Sequence, residues 1–324
     1  MSFVAAPAPF SFSAPALAGL ALVWLAASAS AAGAQSQSLP TENVIVKADK
    51  LAPDAVLHDF IKSYTAPSPA SGKVARWKDG ICPVVTGLPP AANKLVTERV
   101  RQVAGMVGAP VGAAQSCKSN IDIVFTFKPQ VLLDGVRTKT PFLLGYHDVT
   151  QEAPLATVTH PIQAWYTTQT VDVFGEHYID DRLRNHGGFS TVGSFGPKYG
   201  NVFVPDARVE HTTGSRLMDG LSSELYHVVI AIDLAKVDGT TLGALADYAA
   251  MLSLAQTQAF EVCQPVESIT NLVSSGCNAA VKTNDITGND LAYLHGLYSI
   301  DPRASFTHQQ GDIAYQMKKG LEKR

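Results

Sequence analysis

Leu225-Tyr-His-Val-Val-Ile-Ala-Ile-Asp233, followed shortly by Leu242-Gly-Ala-Leu-Ala-Asp-Tyr-Ala-Ala-Met-Leu-Ser-Leu254, decides the fold. The first stretch is a nearly unbroken apolar run rich in β-branched residues, the pattern of a strand covered on both faces and therefore central in its sheet. The second, within 240–258, carries apolar side chains all round the helical wheel, and a helix without a polar face has to be buried. A covered strand leading into a buried helix implies an α+β (or α/β) domain, a mixed sheet with helices packed on it.

Upstream, 81–85 reads as a strand, and 91–107 sets Leu95, Val96, Val100 and Val103 against Lys94, Glu98, Arg99 and Arg101, an amphipathic helix. The β-branched run 120–127 completes a β-α-β unit, right-handed if its strands are parallel. A helix is predicted from Pro129 to about Arg137, a loop over 146–154, and one or two strands within 155–180. The glycine-rich 184–200 suits neither a helix nor a central strand and reads as a lid or a disordered loop; 202–204 is a further short strand. Downstream, 263–277 is a loop or short helix. Thr287 and Asp290 have capping-box spacing for a helix over 291–298, Asp301-Pro302 stops that helix, and 312–319 is a last one.

Residues 1–34 read as a secretory signal peptide. An apolar run over 16–27 precedes the small-residue pairs Ala29/Ala31 and Ala32/Ala34, although no Lys or Arg stands ahead of it. That run falls short of the roughly 20 residues a bilayer span needs, and no second one follows. The mature chain, from near Gln35, is therefore expected to be periplasmic or secreted, without a membrane span. Residues 35–73 read as an N-terminal segment: a short strand at 44–46, a helix over 53–64 with Val56, Leu57, Phe60 and Ile61 at helical spacing, and a linker over 65–73 rich in Pro, Ser, Ala and Gly. The main domain is expected over 74–324. The net charge of −3 and the 16% of charged residues leave no basic field for a phosphate backbone, which excludes nucleic acid as a partner. Four cysteines, Cys82, Cys117, Cys263 and Cys277, are an even count in an exported chain and favour disulfides. Four cysteines allow three connectivities; nearest-neighbour pairing is preferred because each pair brackets one local unit.

Standard catalytic signatures are missing from the sequence: no phosphate-binding glycine motif, no G-x-S-x-G, no C-x-x-C and no H-E-x-x-H occurs. Glu176, His177 and His186 lie close enough for a hairpin to gather them around a divalent ion, but a solvated polar loop is the simpler reading. His227, beside buried Val228, reads as a hydrogen-bonded core histidine. Asp247 is the one charged side chain in its apolar helix, and a buried carboxylate must be paired, hydrogen-bonded or protonated. Arg216 is its expected partner, with Arg182 or a neighbouring backbone group as further options, and Asp247, Arg216 and Tyr248 together make the candidate cleft. No catalytic residue and no cofactor is assigned.

The order of elements resembles that of a zincin-type metalloprotease, in which an edge strand precedes a buried active-site helix. Residues 245–254 resemble that helix in an exported bacterial zincin-like family, and 287–302 its closing helix, but Leu245, Ala246 and Ala249 cannot ligate zinc or act as a base. The resemblance thus implies a relative that has lost its chemistry. Arg76-Trp-Lys-Asp-Gly-Ile-Cys-Pro83, Pro161-Ile-Gln-Ala-Trp165 and Gly243-Ala-Leu-Ala-Asp-Tyr248 also resemble a family of exported proteobacterial proteins without an assigned activity. The expectation is a non-catalytic binding or scaffold protein of the cell envelope, its partner an envelope protein or peptide. The alternative is a hydrolase, metal-dependent or built on Asp247.

Overall fold

The computed structural model describes residues 53–113, 117–145, 149–180, 189–194, 201–205, 211–215 and 218–322. Its strands are β1 (Pro83–Thr86), β2 (Ile121–Thr126), β3 (Ile162–Val171), β4 (His177–Ile179), β5 (Phe189–Ser194), β6 (Asn201–Pro205) and β7 (Ser222–Asp233); its helices are α1 (Asp54–Tyr64), α2 (Pro90–Val107), α3 (Pro129–Lys139), α4 (Val149–Leu155), α5 (Leu242–Leu254), α6 (Gly288–Ser299) and α7 (Phe306–Glu322). Five strands form one mixed sheet in the order β1-β2-β7-β3-β4, and β5 with β6 forms a separate two-stranded sheet. β1, β2 and β7 are parallel; β3 runs antiparallel to β7, and β4 to β3. The fold is α+β. The zincin resemblance implies an edge strand before the buried helix, whereas β7 is flanked on both sides.

The two faces of the sheet are covered unequally. On one, Ile121, Ile123 and Phe125 of β2, Ile162, Ala164 and Tyr166 of β3 and Val228, Ile230 and Ile232 of β7 share a core with α1, α2, α5, α6 and α7. Helix α2 contributes Val96, Val100, Val103 and Val107, the i, i+4, i+7 stripe of an amphipathic helix. It starts with Pro90 in its first turn and ends at Gly108, whose φ of 81° is the left-handed conformation glycine adopts without a Cβ penalty. Helix α5 is buried at every position from Ala244 to Leu254, and the Thr241 hydroxyl caps it by accepting from Ala244 N at 3.2 Å. The predicted capping box opens α6: Thr287 Oγ1 accepts from Asp290 N at 3.1 Å while the Asp290 carboxylate accepts from Thr287 N at 2.8 Å. On the other face, Leu133 of α3 and Leu144 of a short 3₁₀ turn (Pro141–Leu144) cover Trp165, Val229 and Ala231, with Leu132, Val136, Leu143, Leu155 and Val158 only partly buried around them.

Three sequence expectations are corrected. The stretch 65–73 is not a linker: Thr65, Ala66, Ser68 and Lys73 are buried, and Ser68 N donates to Lys73 O at 2.7 Å in a closed turn. Its small residues allow close packing rather than freedom, and α1 and this turn belong to the compact unit that runs on to Arg324. Within the expected loop 146–154, Val149–Leu155 forms a short helix with Pro154 in its last turn, and Trp165 Nε1 donates to Leu155 O at 2.6 Å. Within 184–200, Phe189–Ser194 forms a bulged strand against Asn201–Pro205. The last two helices are also longer than the 291–298 and 312–319 of the sequence reading. The signal peptide over 1–34 and the strand at 44–46 lie outside the described residues. Among those described, no helix is long and apolar enough to cross a membrane.

Candidate functional site

The thinly covered face of the sheet holds a cleft at the amino ends of β1 and β2, where the antiparallel pair β7 and β3 runs on past the start of β2. Trp77, Cys82, Cys117, Asn120, Phe142, Leu143, Gln169, Leu225, Tyr226 and His227 are among the residues that line its volume of about 520 Å³, the size of a small-ligand or side-chain site. A β-bulge shapes it. Thr167 pairs with His227 but Thr168 with Leu225, so Tyr226 is the extra residue, and a bulge re-aims side chains that strict alternation would send to opposite faces. Tyr226 and His227 both line the cleft as a result.

Two polar side chains of the lining, His227 and Gln169, are each backed by a carboxylate. His227, its side chain 13% exposed, pairs through Nε2 with Asp122 Oδ2 at 3.0 Å, and Ser119 Oγ donates to Asp122 Oδ1 at 2.7 Å. Partial burial pushes the Asp122 pKa up, but the hydrogen bonds from His227 and Ser119 outweigh it and hold the carboxyl below its ordinary value. An ionised carboxylate can only accept, so the neutral imidazole carries its proton on Nε2 and leaves Nδ1 as an acceptor. Gln169, 8% exposed, directs Nε2 at both Glu224 Oε2 (2.8 Å) and His177 Nδ1 (3.0 Å). Both amide protons are used, which leaves Oε1 as the other end of a fixed amide.

The disulfide Cys82–Cys117, Cα atoms 5.6 Å apart, forms part of the wall. Its partner bridge, Cys263–Cys277, spans 5.4 Å between Cα atoms; both follow nearest-neighbour pairing and fall in the usual range. Gly112 packs directly on the first bridge: a Cβ there would stand 2.5 Å from Cys117 Sγ and 2.9 Å from Cys82 Sγ. Asn120 ties the same wall together, accepting from Cys82 N at 2.7 Å and donating to Gly80 O at 3.2 Å.

The residues expected to form a cleft do not form one. Asp247 and Tyr248 are both sealed in the core, and burial holds the Tyr248 phenol far above its ordinary pKa. Asp247 is paired, but with Arg99: Nε and Nη2 of the guanidinium clamp the two carboxylate oxygens, and Ile286 N adds a bond of 2.8 Å. Arg216, the expected partner, and Arg182 lie outside the described residues. Helix α2 packs on α5 in the same core, which brings Arg99 to Asp247 from far away in sequence. Of the weak metal candidates, His186 is not among the described residues, His177 is bonded to Gln169, and the backbone N of Glu176 donates to Asp172. No group of three metal-ligating side chains occurs among the described residues.

His227 does have the hydrogen-bonded partner its reading called for, but at a cleft rather than in the core. Asp122, Gln169 and Glu224 were missed. Their available signal was a polar side chain set among apolar or β-branched residues in each of three strands. No protein-family model matches the chain, no curated protein is significantly similar to it, and no solved structure is either.

Proposed function

We propose that this is a non-catalytic binding protein of the bacterial cell envelope, periplasmic or secreted, that holds a segment of an envelope protein or peptide in the cleft beside Tyr226 and His227. The observation that carries the reading is the state of Asp247. In a zincin-like relative, α5 would present the catalytic groups; here its one acid has both oxygens engaged by Arg99 and Ile286 N beneath an apolar surface. That carboxylate braces α2 against α5 and the start of α6, and a solvent-borne substrate cannot reach it. Two cysteine pairs at disulfide distance fit an exported chain.

One observation favours a second reading, a hydrolase: His227 is oriented by ionised Asp122 next to a cleft, as a general base would be. Among the described residues no nucleophile is bonded to the imidazole, since Ser119 bonds the carboxylate instead. The test is a resonance-resolved titration of the purified, oxidised protein with short peptides, alongside assays on chromogenic esters and casein and a metal analysis. We expect peptide-dependent shifts confined to the amides of 118–120, 169 and 225–227, with no turnover. Hydrolysis that disappears in His227→Leu, or stoichiometric bound zinc, would replace this reading with the second.

A further inference from the structure

The hydrogen-bond inventory of the cleft specifies what it can take. In the tautomer that donates Nε2–H to Asp122, His227 offers Nδ1 as an acceptor. Gln169 offers Oε1, because both its amide protons go to Glu224 and His177 and, among the described residues, no donor reaches the oxygen. Gln169 is more than nine-tenths buried and lines the cleft, so its amide is held in one orientation and a ligand able to donate meets a fixed acceptor there. Behind these two acceptors stand the carboxylates of Asp122 and Glu224, and Asp79 lines the rim; the one cationic side chain of the lining is exposed Lys118. The Arg76 guanidinium also interacts with Glu224, so three carboxylates stand against two cations around the cleft. Phe142, Leu143 and Leu225 supply apolar surface beside the acceptors.

Acceptors on a negative background flanked by aliphatic and aromatic surface match a compact cation with several donors on an apolar stem. We propose that the cleft recognises a primary ammonium group on an aliphatic chain, namely a lysine side chain of the bound peptide, with His227 Nδ1 and Gln169 Oε1 accepting its protons. An ammonium carries three donors and no acceptor, so it can satisfy both groups at once and still reach a carboxylate at the rim. This rests on the reading of the cleft as the binding site and adds the chemistry of the ligand.

The experiment is calorimetric and resonance-resolved titration of the full exported chain, both disulfides intact, with N-acetyl-Ala-Lys-Ala-amide. Two controls are the same peptide with norleucine or Nε-acetyl-lysine at the centre, and pentane-1,5-diamine is a third probe. Expected is at least tenfold tighter binding of the lysine peptide than of either control, with shifts at 169 and 227, lost in Gln169→Leu and His227→Leu proteins that melt like the parent. Diamine that binds as tightly as the lysine peptide would keep the ammonium chemistry and assign it to a free amine. Equal binding of the norleucine peptide would overturn the inference and leave the cleft a peptide site. A cleft that responds to none of the probes would overturn both readings.

Discussion

The two faces of the sheet use the same kind of side chain to opposite ends. On the helical face, Asp247 and Asp290 are buried among apolar groups, each with both oxygens bonded, Asp247 to Arg99 and Ile286 N, and Asp290 to Ser268, Ile269 N and Thr287. On the open face, Asp122 and Glu224 stand behind side chains that border a cleft. A carboxylate whose bonds all close within the core adds stability and rigidity. One that orients a neighbour aims that neighbour's remaining lone pair at whatever enters.

The contrast can be broken or sharpened in order of expected effect. Ala249→Glu on α5 puts an unpaired charge at a fully buried position and should abolish folding, read as loss of a cooperative melting transition; a variant that melts like the parent would mean the helical face is not sealed. Arg99→Leu leaves the buried Asp247 carboxylate without its cation and should cost about 3–5 kcal/mol in denaturant unfolding. Replacing Cys82 and Cys117 with Ser opens a bridge across a sequence separation of 35 and should cost on the order of 4 kcal/mol in the chain-entropy model. That would show that the open face depends on a covalent link where the helical face depends on packing.

A pH titration of stability separates the two faces by sign. Burial raises the Asp290 pKa to about 6 against its hydrogen bonds. The folded state thus binds this proton more tightly than the unfolded chain, whose carboxyl titrates near 3.9. Its contribution is largest below about pH 4 and is lost as pH rises to about 6, with a slope of up to about 1.4 kcal/mol per unit; Asp290→Asn should flatten that slope in unfolding curves between pH 4 and 7. Asp122, held below its ordinary value, contributes above about pH 4 and loses that contribution as pH falls through its folded pKa. The smallest stability effect is expected for His227→Leu. The change breaks a pair whose carboxylate partner is 38% exposed and should shift stability by less than about 1 kcal/mol, while peptide-dependent shifts at the cleft vanish.

How legible each face is in the sequence follows from the same difference. Burial of α5 and β7 is written in composition, since an all-round apolar helix and an unbroken β-branched strand have no other stable place. The capping box at Thr287 and Asp290 is equally local. The cleft is not, because it is made by a bulge at Tyr226 that no periodicity marks, and by a pairing of Asp122 with His227 across 105 positions. Arg99 was overlooked as the partner of Asp247 for a related reason: it lies on the polar side of α2 by pattern, and only the packing of α2 on α5 turns it inward. Composition also misled at 65–73, where Ser68 is a core hydroxyl bonded to Thr168 and Asp180.

The position of β7 bears on the order in which the chain can fold. It is the last strand of the sheet in sequence yet lies between β2 and β3, joining a parallel half to an antiparallel half. Until residue 233 is available, neither half can close: β2 and β3 each present an open inner edge, and the apolar side chains of both lack the strand that unites them. Such non-local pairing raises contact order and slows folding, and unpaired inner edges are templates for the wrong partner. A chain truncated after residue 215 should therefore collect as aggregate, even though it contains β1 to β6 in full, because the strand that completes the sheet is the one it lacks.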